Sequence, residues 1–392
     1  MCPDADHSHD SESTDATRAD AVAGLSPDER AEARRYGRIS LACTLADLAI
    51  DLVYLAAMAF LFARPIDAWL ATYPTLAGSQ SLVRLLVLLG VVIGIHIFVS
   101  LPLSFYSGYV VEHQFGLSTQ RLRRWLGNWL KRNAVAIVFG AVLYGGLFAI
   151  IWYTGRLWWL VAAGAFFVLS VVLGQLAPVL FLPLFYKIKR LDDAALMERM
   201  ERLAAGTGLT IEGVYRMGLS ADTVKANAML AGLGRTRRVL MGDTLLDNFT
   251  PEEIEVIFAH EIGHHVHRHI PKMIATGVVL SLVGFWLIDH VLVWWTGIAS
   301  AASAPTWSLP LVMLTLTAFQ LVLGPLQNAI SRHYERQCDR YALARTGLRD
   351  AYRSAFQKLA RLNKDDPEPN PVEVFLLHSH PPIAERLALA EA

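Results

Sequence analysis

Two histidines and a glutamate within residues 251–269 have the types and the spacing of a metal site. The stretch PEEIEVIFAHEIGHHVHRH contains the pattern H-E-x-x-H at His260, Glu261 and His264. On a helix, positions 260 and 264 differ by about 40° in azimuth, so both imidazoles can reach one zinc ion. Glu261 points elsewhere and can act as general base toward a water molecule at the metal. The chemistry indicated is hydrolysis of a peptide bond.

The residues before this pattern predict the helix that it requires. The run TPEE at 250–253 has the features of a capped helix start with proline in the first turn, and apolar residues then recur at helical spacing. The alternative is a polar histidine cluster at a membrane surface, because His265, His267 and His269 crowd the same segment. The helix start and the apolar periodicity favour the metal site.

A catalytic zinc needs a third protein ligand, and the candidate lies in residues 328–342, NAISRHYERQCDRYA. On a helix, Glu335 and Asp339 share one face. We predict Glu335 as the oxygen ligand and Asp339 as the group that hydrogen-bonds a ligating histidine and fixes its tautomer. One alternative is a solvated face paired with arginines. The other makes His267 the third ligand, although three ligands from two turns of one helix fit poorly around an ion.

Long apolar stretches must position these residues, and they indicate a membrane protein. The 392 residues are 54% hydrophobic and only 18% charged, whereas a soluble chain carries about 25% charged residues. A bilayer crossing takes about 20 apolar residues. We therefore place spans at 41–63, 82–104, 133–152, 157–179, 272–296 and 307–330.

The charges of the chain predict its orientation and exclude one class of partner. Basic residues cluster before the first span, between the second and third, and after the fourth. By the positive-inside rule, the N-terminus lies in the cytoplasm together with 180–271 and 331–392. Basic and acidic residues balance at 35 each, so nucleic acid is not a predicted partner. The predicted partners are the lipid bilayer and a peptide or protein substrate.

Several spans contain ionisable groups, which are costly when they face lipid. Asp47 and Asp51 lie one turn apart in the first span, and His96 lies in the second. We expect these groups to face the interior of the helix bundle or a wet cavity. They also support a non-enzymatic alternative, a membrane transporter or scaffold whose histidines bind zinc without catalysis.

Several motifs together resemble the type I CAAX prenyl protease family of integral-membrane zinc metalloendopeptidases. They are the H-E-x-x-H pattern, the two spans beside it and the pattern N-x-x-S-R-x-x-E-x-x-x-D. The likeness extends over about residues 40–390 and includes SHPPIAER near the C-terminus, with a further family histidine at His269. The stretch 221–246 resembles the strand region on the substrate side of the family's site. Cys338, where the family more often has alanine, is interpreted as a small buried thiol.

The resemblance implies roles that spacing does not assign. One zinc ion per chain would be held by His260, His264 and Glu335, and His380 would stabilise the transition state of the reaction that Glu261 initiates. An extended substrate would pair with an edge strand. The residues that would contact the substrate or lie near the site are Asn227, Ala228, Asn328, Arg332 and Arg386.

The predicted fold class is therefore mainly α. We expect a polytopic helical membrane protein of about six or seven spans, with a cytoplasmic zincin-like metalloprotease domain that contains a small β-sheet. Residues 1–30, acidic and poor in large apolar side chains, predict a disordered tail. Residues 31–190 form the N-terminal membrane region with about four spans. Residues 191–392 form the zinc metallopeptidase domain, including the last two spans.

Two enzymatic interpretations differ in substrate. Eukaryotic members of the family remove the last three residues of prenylated proteins in the endoplasmic reticulum. If the chain is bacterial, it lies in the plasma or inner membrane, and we hypothesise processing or clearance of membrane proteins instead. The alternative enzyme is a quality-control zinc protease of the heat-shock type, which shares the core motifs but has fewer spans.

Overall fold

The computed structural model of the protein describes residues 24–78, 80–176, 180–209, 212–231 and 238–391. Most of the predicted acidic tail lies outside these residues. The first helix already begins at Pro27, because Ser26 and Glu29 form a reciprocal capping box with each other's backbone amides. The last residues assigned to the tail are therefore helical, which corrects the boundary at residue 30.

Four long helices form the N-terminal half of the described chain. They are α1 (Pro27–Leu70), α2 (Leu82–Gln114), α3 (Leu122–Tyr153) and α4 (Trp158–Leu176). A π-helical turn interrupts α1 at Met58–Phe62. Buried side chains such as Leu88, Phe148 and Trp158 join these helices to two later ones in a single apolar cluster.

The C-terminal half contains a small sheet, the helix that bears H-E-x-x-H, and further helices before and after that helix in the chain. Its elements are β1 (Ile188–Arg190), α5 (Ala194–Ala204), β2 (Gly213–Met217), β3 (Ala228–Ala231), β4 (Arg238–Gly242), α6 (Pro251–Val266), α7 (His269–Thr296), α8 (Leu309–Thr346), α9 (Arg349–Asn363), α10 (Pro371–Leu377) and α11 (Ile383–Ala388). Short helical turns occur at Leu182–Phe185 and Asp243–Leu246.

The four strands form one mixed sheet in the order β1-β2-β4-β3. Strands β2 and β4 are parallel, and the two outer strands are antiparallel to their neighbours. Val239 and Met241 of β4 pack in one buried cluster with Met200 of α5 and Phe258 of α6. Strand β3 is an edge of the sheet in the described part of the chain, and it lies beside α6.

The fold class predicted from the sequence is confirmed. Six helices of the described chain are long and apolar enough to cross a membrane, and each overlaps one predicted span. Five of the six helices are longer than their predicted spans, because only the apolar windows were visible in the sequence, whereas α4 is described over 19 residues of the span predicted at 157–179. Helix α8 has 38 residues and is about 57 Å long, whereas the hydrocarbon core of a bilayer is about 30 Å thick. Its polar end therefore extends out of the apolar layer as part of the peptidase domain.

Candidate metal centre

Helices α6 and α8 approach each other closely, and this contact brings the candidate ligands together. Helix α6 begins as predicted, with a capping box between Thr250 and Glu253. One turn before the end of α6, Gly263 faces Cys338 of α8, and a Cβ atom built at Gly263 would lie 3.0 Å from the Cα of Cys338. A residue without a side chain is needed at this approach, because a larger one would separate the two helices.

Three of the predicted ligands converge in a largely buried site between these helices. The Nε2 atom of His260 lies 3.1 Å from Oε2 of Glu335, and Nε2 of His264 lies 3.3 Å from Oε1 of the same carboxylate. Donor atoms around a tetrahedral zinc ion at ordinary bond lengths are about 3.4 Å apart. The Oε2 atom of Glu335 is buried and has no hydrogen-bond partner in the structure. The donor set therefore fits one metal ion.

The buried ion pair of Asp339 and Arg386 contacts His260 at Nδ1, the ring nitrogen that does not approach Glu335. Nδ1 of His260 lies 2.9 Å from Oδ1 of Asp339. Asp339 in turn accepts hydrogen bonds from Nη2 and Nε of Arg386, at 2.6 and 2.9 Å. In the neutral form that can bind a metal, His260 donates a hydrogen bond from Nδ1 to Asp339 and has its lone pair on Nε2, the nitrogen near Glu335. The structure thus places Asp339 where the predicted hydrogen bond to a ligating histidine can form.

Arg386, which the resemblance groups with the residues that contact the substrate or lie near the site, lies within 4.0 Å of Glu335. Its side chain is buried, with its guanidinium on Asp339 and 4.0 Å from the centre of the Phe356 ring. In this position Arg386 neutralises the charge of Asp339, which needs a partner in the protein interior.

The electrostatics of the site favour a cation. Burial alone would lower the pKa of His260, but the adjacent carboxylates of Asp339 and Glu335 raise it to about 9. Arg386 balances the charge of Asp339. The negative charge of Glu335 then remains beside the two imidazoles, where a divalent metal ion would balance it.

Two competing ligands can be compared with Glu335. The Sγ atom of Cys338 lies within 4.8 Å of ligand atoms of His260 and His264. Both Nε2 atoms are nevertheless closer to Glu335 than this limit, and the thiol of Cys338 is buried at the helix contact, 3.6 Å from Nδ1 of His269. The ring of His267 stacks on that of His269 at 5.5 Å. Glu335 is thus the best-placed third ligand.

Glu261 lies between the metal centre and the edge of the sheet. Its Oε2 atom accepts a hydrogen bond of 3.2 Å from the backbone amide of Leu230 in β3. The carbonyl of Asn227 accepts from the amide of Gly242 in β4. Since backbone groups alternate along a strand, the amide and carbonyl of Ala228 face the same outer edge as the amide of Leu230. The candidate general base therefore stands next to a strand edge.

His380 lies at the entrance to the centre, in the segment after α10. Its Nε2 atom is 3.7 Å from Oε1 of Glu335, and its imidazole is exposed. The hydroxyl of Ser379 lies 2.9 Å from the other ring nitrogen. The exposed imidazole of His380 thus lies beside the carboxylate of the candidate third ligand.

Asn328 and Arg332 contact the chain itself. Nη1 of Arg332 donates to the carbonyls of Val374 and His378 at 2.7 and 2.6 Å, and Nδ2 of Asn328 donates to the carbonyl of Leu376 at 2.8 Å. These bonds fasten α10 and the segment that follows it to α8. In this structure, both predicted substrate contacts therefore position the segment that bears His380.

Sequence reasoning missed a network that attaches the strand region to the membrane helices. The hydroxyl of Tyr36 in α1 donates to Glu112 in α2 at 2.6 Å, and Nζ of Lys225 lies 3.0 Å from Glu112. Lys225 stands two residues before Asn227. Lys225 and Glu112 are 113 residues apart in the chain, so their spacing gives no signal of the contact. The available signal was a partly buried acidic group at the end of a membrane helix, which calls for a partner.

Comparison with known proteins identifies the class. Residues 190–392 match the description "Peptidase family M48", and residues 13–187 match "CAAX prenyl protease N-terminal, five membrane helices". The described part of that second region contains four helices of spanning length. The protein is thus a multi-pass membrane metalloendopeptidase that acts on peptides or proteins. It belongs to peptidase family M48.

Individual relatives confirm the resemblance to the CAAX prenyl proteases. The uncharacterized metalloprotease YhfN of Bacillus subtilis is 26% identical, with 97% of this chain and 89% of that protein covered. CAAX prenyl protease 1 of Saccharomyces cerevisiae is 29% identical, with 76% and 70% covered. The crystal structure of S. mikatae Ste24p has the same fold, with a TM-score of 0.81, 24% identity, and 93% and 89% covered. A peptidase family excludes the transporter alternative, and the match of residues 13–187 favours the CAAX-type architecture over the heat-shock type.

Proposed function

We propose that the protein is a zinc endopeptidase in which His260, His264 and Glu335 hold one zinc ion and Glu261 activates the attacking water. The observation that carries this proposal is the approach of two imidazole nitrogens to one buried carboxylate, at 3.1 and 3.3 Å. Two nitrogens and one oxygen are a donor set that suits zinc. Three protein ligands leave a fourth position for water or substrate, as a catalytic site requires.

The residues around the ion divide the chemistry among them. A bound zinc ion would polarise the scissile carbonyl and make a nearby water molecule more acidic. Glu261 takes the proton of that water and returns it to the leaving amine. His380 donates a hydrogen bond to the oxyanion that develops on the carbonyl. Asp339 keeps His260 in the tautomer that ligation needs.

Removing the metal tests this proposal most directly. The protein is purified in lipid nanodiscs, and its zinc content is measured by mass spectrometry. We expect about one zinc ion per chain, loss of peptide hydrolysis after chelation, and recovery on addition of one equivalent of zinc but not of magnesium, which prefers oxygen ligands. Full activity in the metal-free protein would contradict the proposal.

The substrate binds, we propose, as an extended segment along the outer edge of β3. Strand edges recruit peptides through main-chain hydrogen bonds, and the outward amide of Leu230 lies against the carboxylate of Glu261. A peptide paired at Ala228 would therefore have its backbone beside the general base. Asn227, exposed at the start of the strand, can contact the same peptide.

Proline at position 228 provides a test of this register. The amide of Ala228 faces away from β4, so Ala228→Pro removes a substrate contact without breaking the pairing within the sheet. We expect kcat/KM to fall about 5- to 10-fold, the effect of one backbone hydrogen bond, mainly through KM. Ala228→Val, which keeps the amide, is the matched control. Equal kcat/KM values for the two variants would argue against pairing at this residue.

The likeness to the CAAX prenyl proteases supports a substrate with a prenylated cysteine near its C-terminus. The test compares one CAAX peptide with and without a farnesyl group and adds an unfolded membrane protein as a third substrate. A prenyl-directed enzyme cleaves the farnesylated peptide with the highest kcat/KM. Cleavage of the unfolded protein alone would instead favour the clearance of membrane proteins and would reject the prenyl substrate.

Orientation and domain limits complete the proposal. The N-terminus and the peptidase domain lie in the cytoplasm, which is supported by the basic residues beside the spans. The membrane region extends from the start of α1 at Pro27 to residue 190, and the peptidase domain comprises residues 191–392. The balanced charge of the chain, with 35 basic and 35 acidic residues, does not favour nucleic acid as a partner.

A further inference from the structure

His269 is a buried histidine next to the metal centre that the proposed mechanism does not use. It is the first residue of α7, and its relative exposure is 0%. Arg268 before it has φ 54° and ψ 41°, a left-handed conformation that turns the chain sharply between α6 and α7. The ring of His269 lies parallel to that of Tyr334, with centroids 4.2 Å apart. Both the backbone and the packing therefore hold this imidazole in one place.

A chain of hydrogen bonds runs from His264 through His269 to helix α8. The Nδ1 atoms of His264 and His269 are 3.1 Å apart. Nε2 of His269 lies 2.9 Å from Oε1 of Gln337, and the Gln337 amide nitrogen lies 3.1 Å from Nε2 of His333. His269 and Gln337 each direct one polar atom to either neighbour in this row, so the proton positions along it depend on one another. The Sγ atom of Cys338 also lies near Nδ1 of His269, at the longer distance of 3.6 Å.

Metal ligation by His264 selects one direction for these protons. A neutral imidazole has one donor and one acceptor nitrogen. If Nε2 of His264 carries the lone pair that binds the metal, Nδ1 carries the proton and donates a hydrogen bond to His269. His269 then has its own proton on Nε2 and donates it to the carbonyl oxygen of Gln337. The opposite direction would place a proton on Nε2 of His264, where the metal binds.

We propose that His269 and Gln337 are positioning residues that hold His264 in its metal-ligating tautomer. The inference rests on the proposed function, and it gives the two histidine ligands different supports. His260 donates to the carboxylate of Asp339, which is paired with Arg386, whereas His264 donates to the neutral side chain of His269. This second support orients the imidazole without adding another carboxylate to a site that already contains Glu335 and Glu261.

The test measures zinc affinity by competition with a chromophoric chelator, not activity. His269→Phe keeps a ring against Tyr334 but has no acceptor, whereas His269→Asn keeps an acceptor near the position of Nδ1. We expect His269→Phe to weaken zinc binding about 10- to 100-fold, the usual effect of losing the partner of a ligating histidine. His269→Asn regains most of that loss. His290→Phe, at the other end of α7, serves as the control with unchanged affinity.

Gln337 offers a second pair of variants at a half-buried position, where a change of side chain is tolerated by the fold. Gln337→Met removes the acceptor for His269 and is expected to weaken zinc binding, whereas Gln337→Glu retains an acceptor and the affinity. Thermal unfolding of the metal-free proteins confirms that all variants are folded. Wild-type zinc affinity in both His269→Phe and Gln337→Met would overturn this inference and leave the proposed function intact. A wild-type protein that binds no zinc would instead reject the proposed function.

Discussion

Replacing Glu261 by glutamine is expected to lower kcat for peptide hydrolysis by about 10²- to 10⁴-fold, the usual contribution of a general base. Glutamine has nearly the same shape but cannot accept the proton of the attacking water. Its amide can still lie near the backbone amide of Leu230, so the edge strand keeps its place. The zinc ligands are unchanged, and zinc content and affinity are therefore expected to stay at the wild-type level.

The measurement pairs steady-state cleavage with metal analysis on the same samples. Glu255→Gln is the matched control, because it makes the same chemical change on helix α6, at a residue that pairs with Arg199 on the surface. It should leave both kcat and zinc content near the wild-type values. If Glu261→Gln kept wild-type kcat with zinc bound, another group would have to be the base.

The second large effect is expected on stability, from the replacement of Arg386 by methionine. Asp339 is completely buried, and Arg386 is the cation that pairs with it. Removing one partner of a buried ion pair costs about 3–5 kcal/mol in free energy of unfolding, because a charge is left without compensation. Arg386→Met should also weaken zinc binding, since Asp339 then loses the group that holds it against His260.

A double variant separates the lost charge from the lost contact. Asp339→Asn combined with Arg386→Met removes both charges and keeps an acceptor for Nδ1 of His260. We expect it to be more stable than Arg386→Met alone. Equilibrium unfolding in detergent micelles, with and without zinc, gives the two free energies. Equal stabilities of the wild type and Arg386→Met would show that the pair has no structural role.

Local features of the sequence were enough to predict the helical membrane fold and the helix with H-E-x-x-H. An apolar run of 20 residues must satisfy its backbone hydrogen bonds internally, so it forms a helix wherever it lies in a membrane. The run TPEE contains the capping box of α6 within four residues. His260, Glu261 and His264 then follow from the geometry of a single helix. These predictions depend on neighbours in the chain, and for that reason they needed no tertiary structure.

The tertiary structure decided which distant residues complete the site. Glu335, His267 and Cys338 were all possible ligands by residue type, and the close contact of α6 with α8 at Gly263 places Glu335 between the two imidazoles. The same packing buries Arg386 against Asp339, 47 residues earlier in the chain. It also turns Asn328 and Arg332 toward the segment that bears His380.

The sequence by itself determined the helices, the spans and the motif that marks the catalytic helix, because each depends on interactions within a few turns of chain. The third ligand, the partner of Asp339, the acceptor chain behind His264 and the strand edge beside Glu261 were decided only in the folded molecule. The contacts that complete these features join residues 31 to 79 positions apart in the chain. Which of several chemically similar side chains meet is set by how closely the helices can pack, and here a glycine at the contact of α6 and α8 permits the approach.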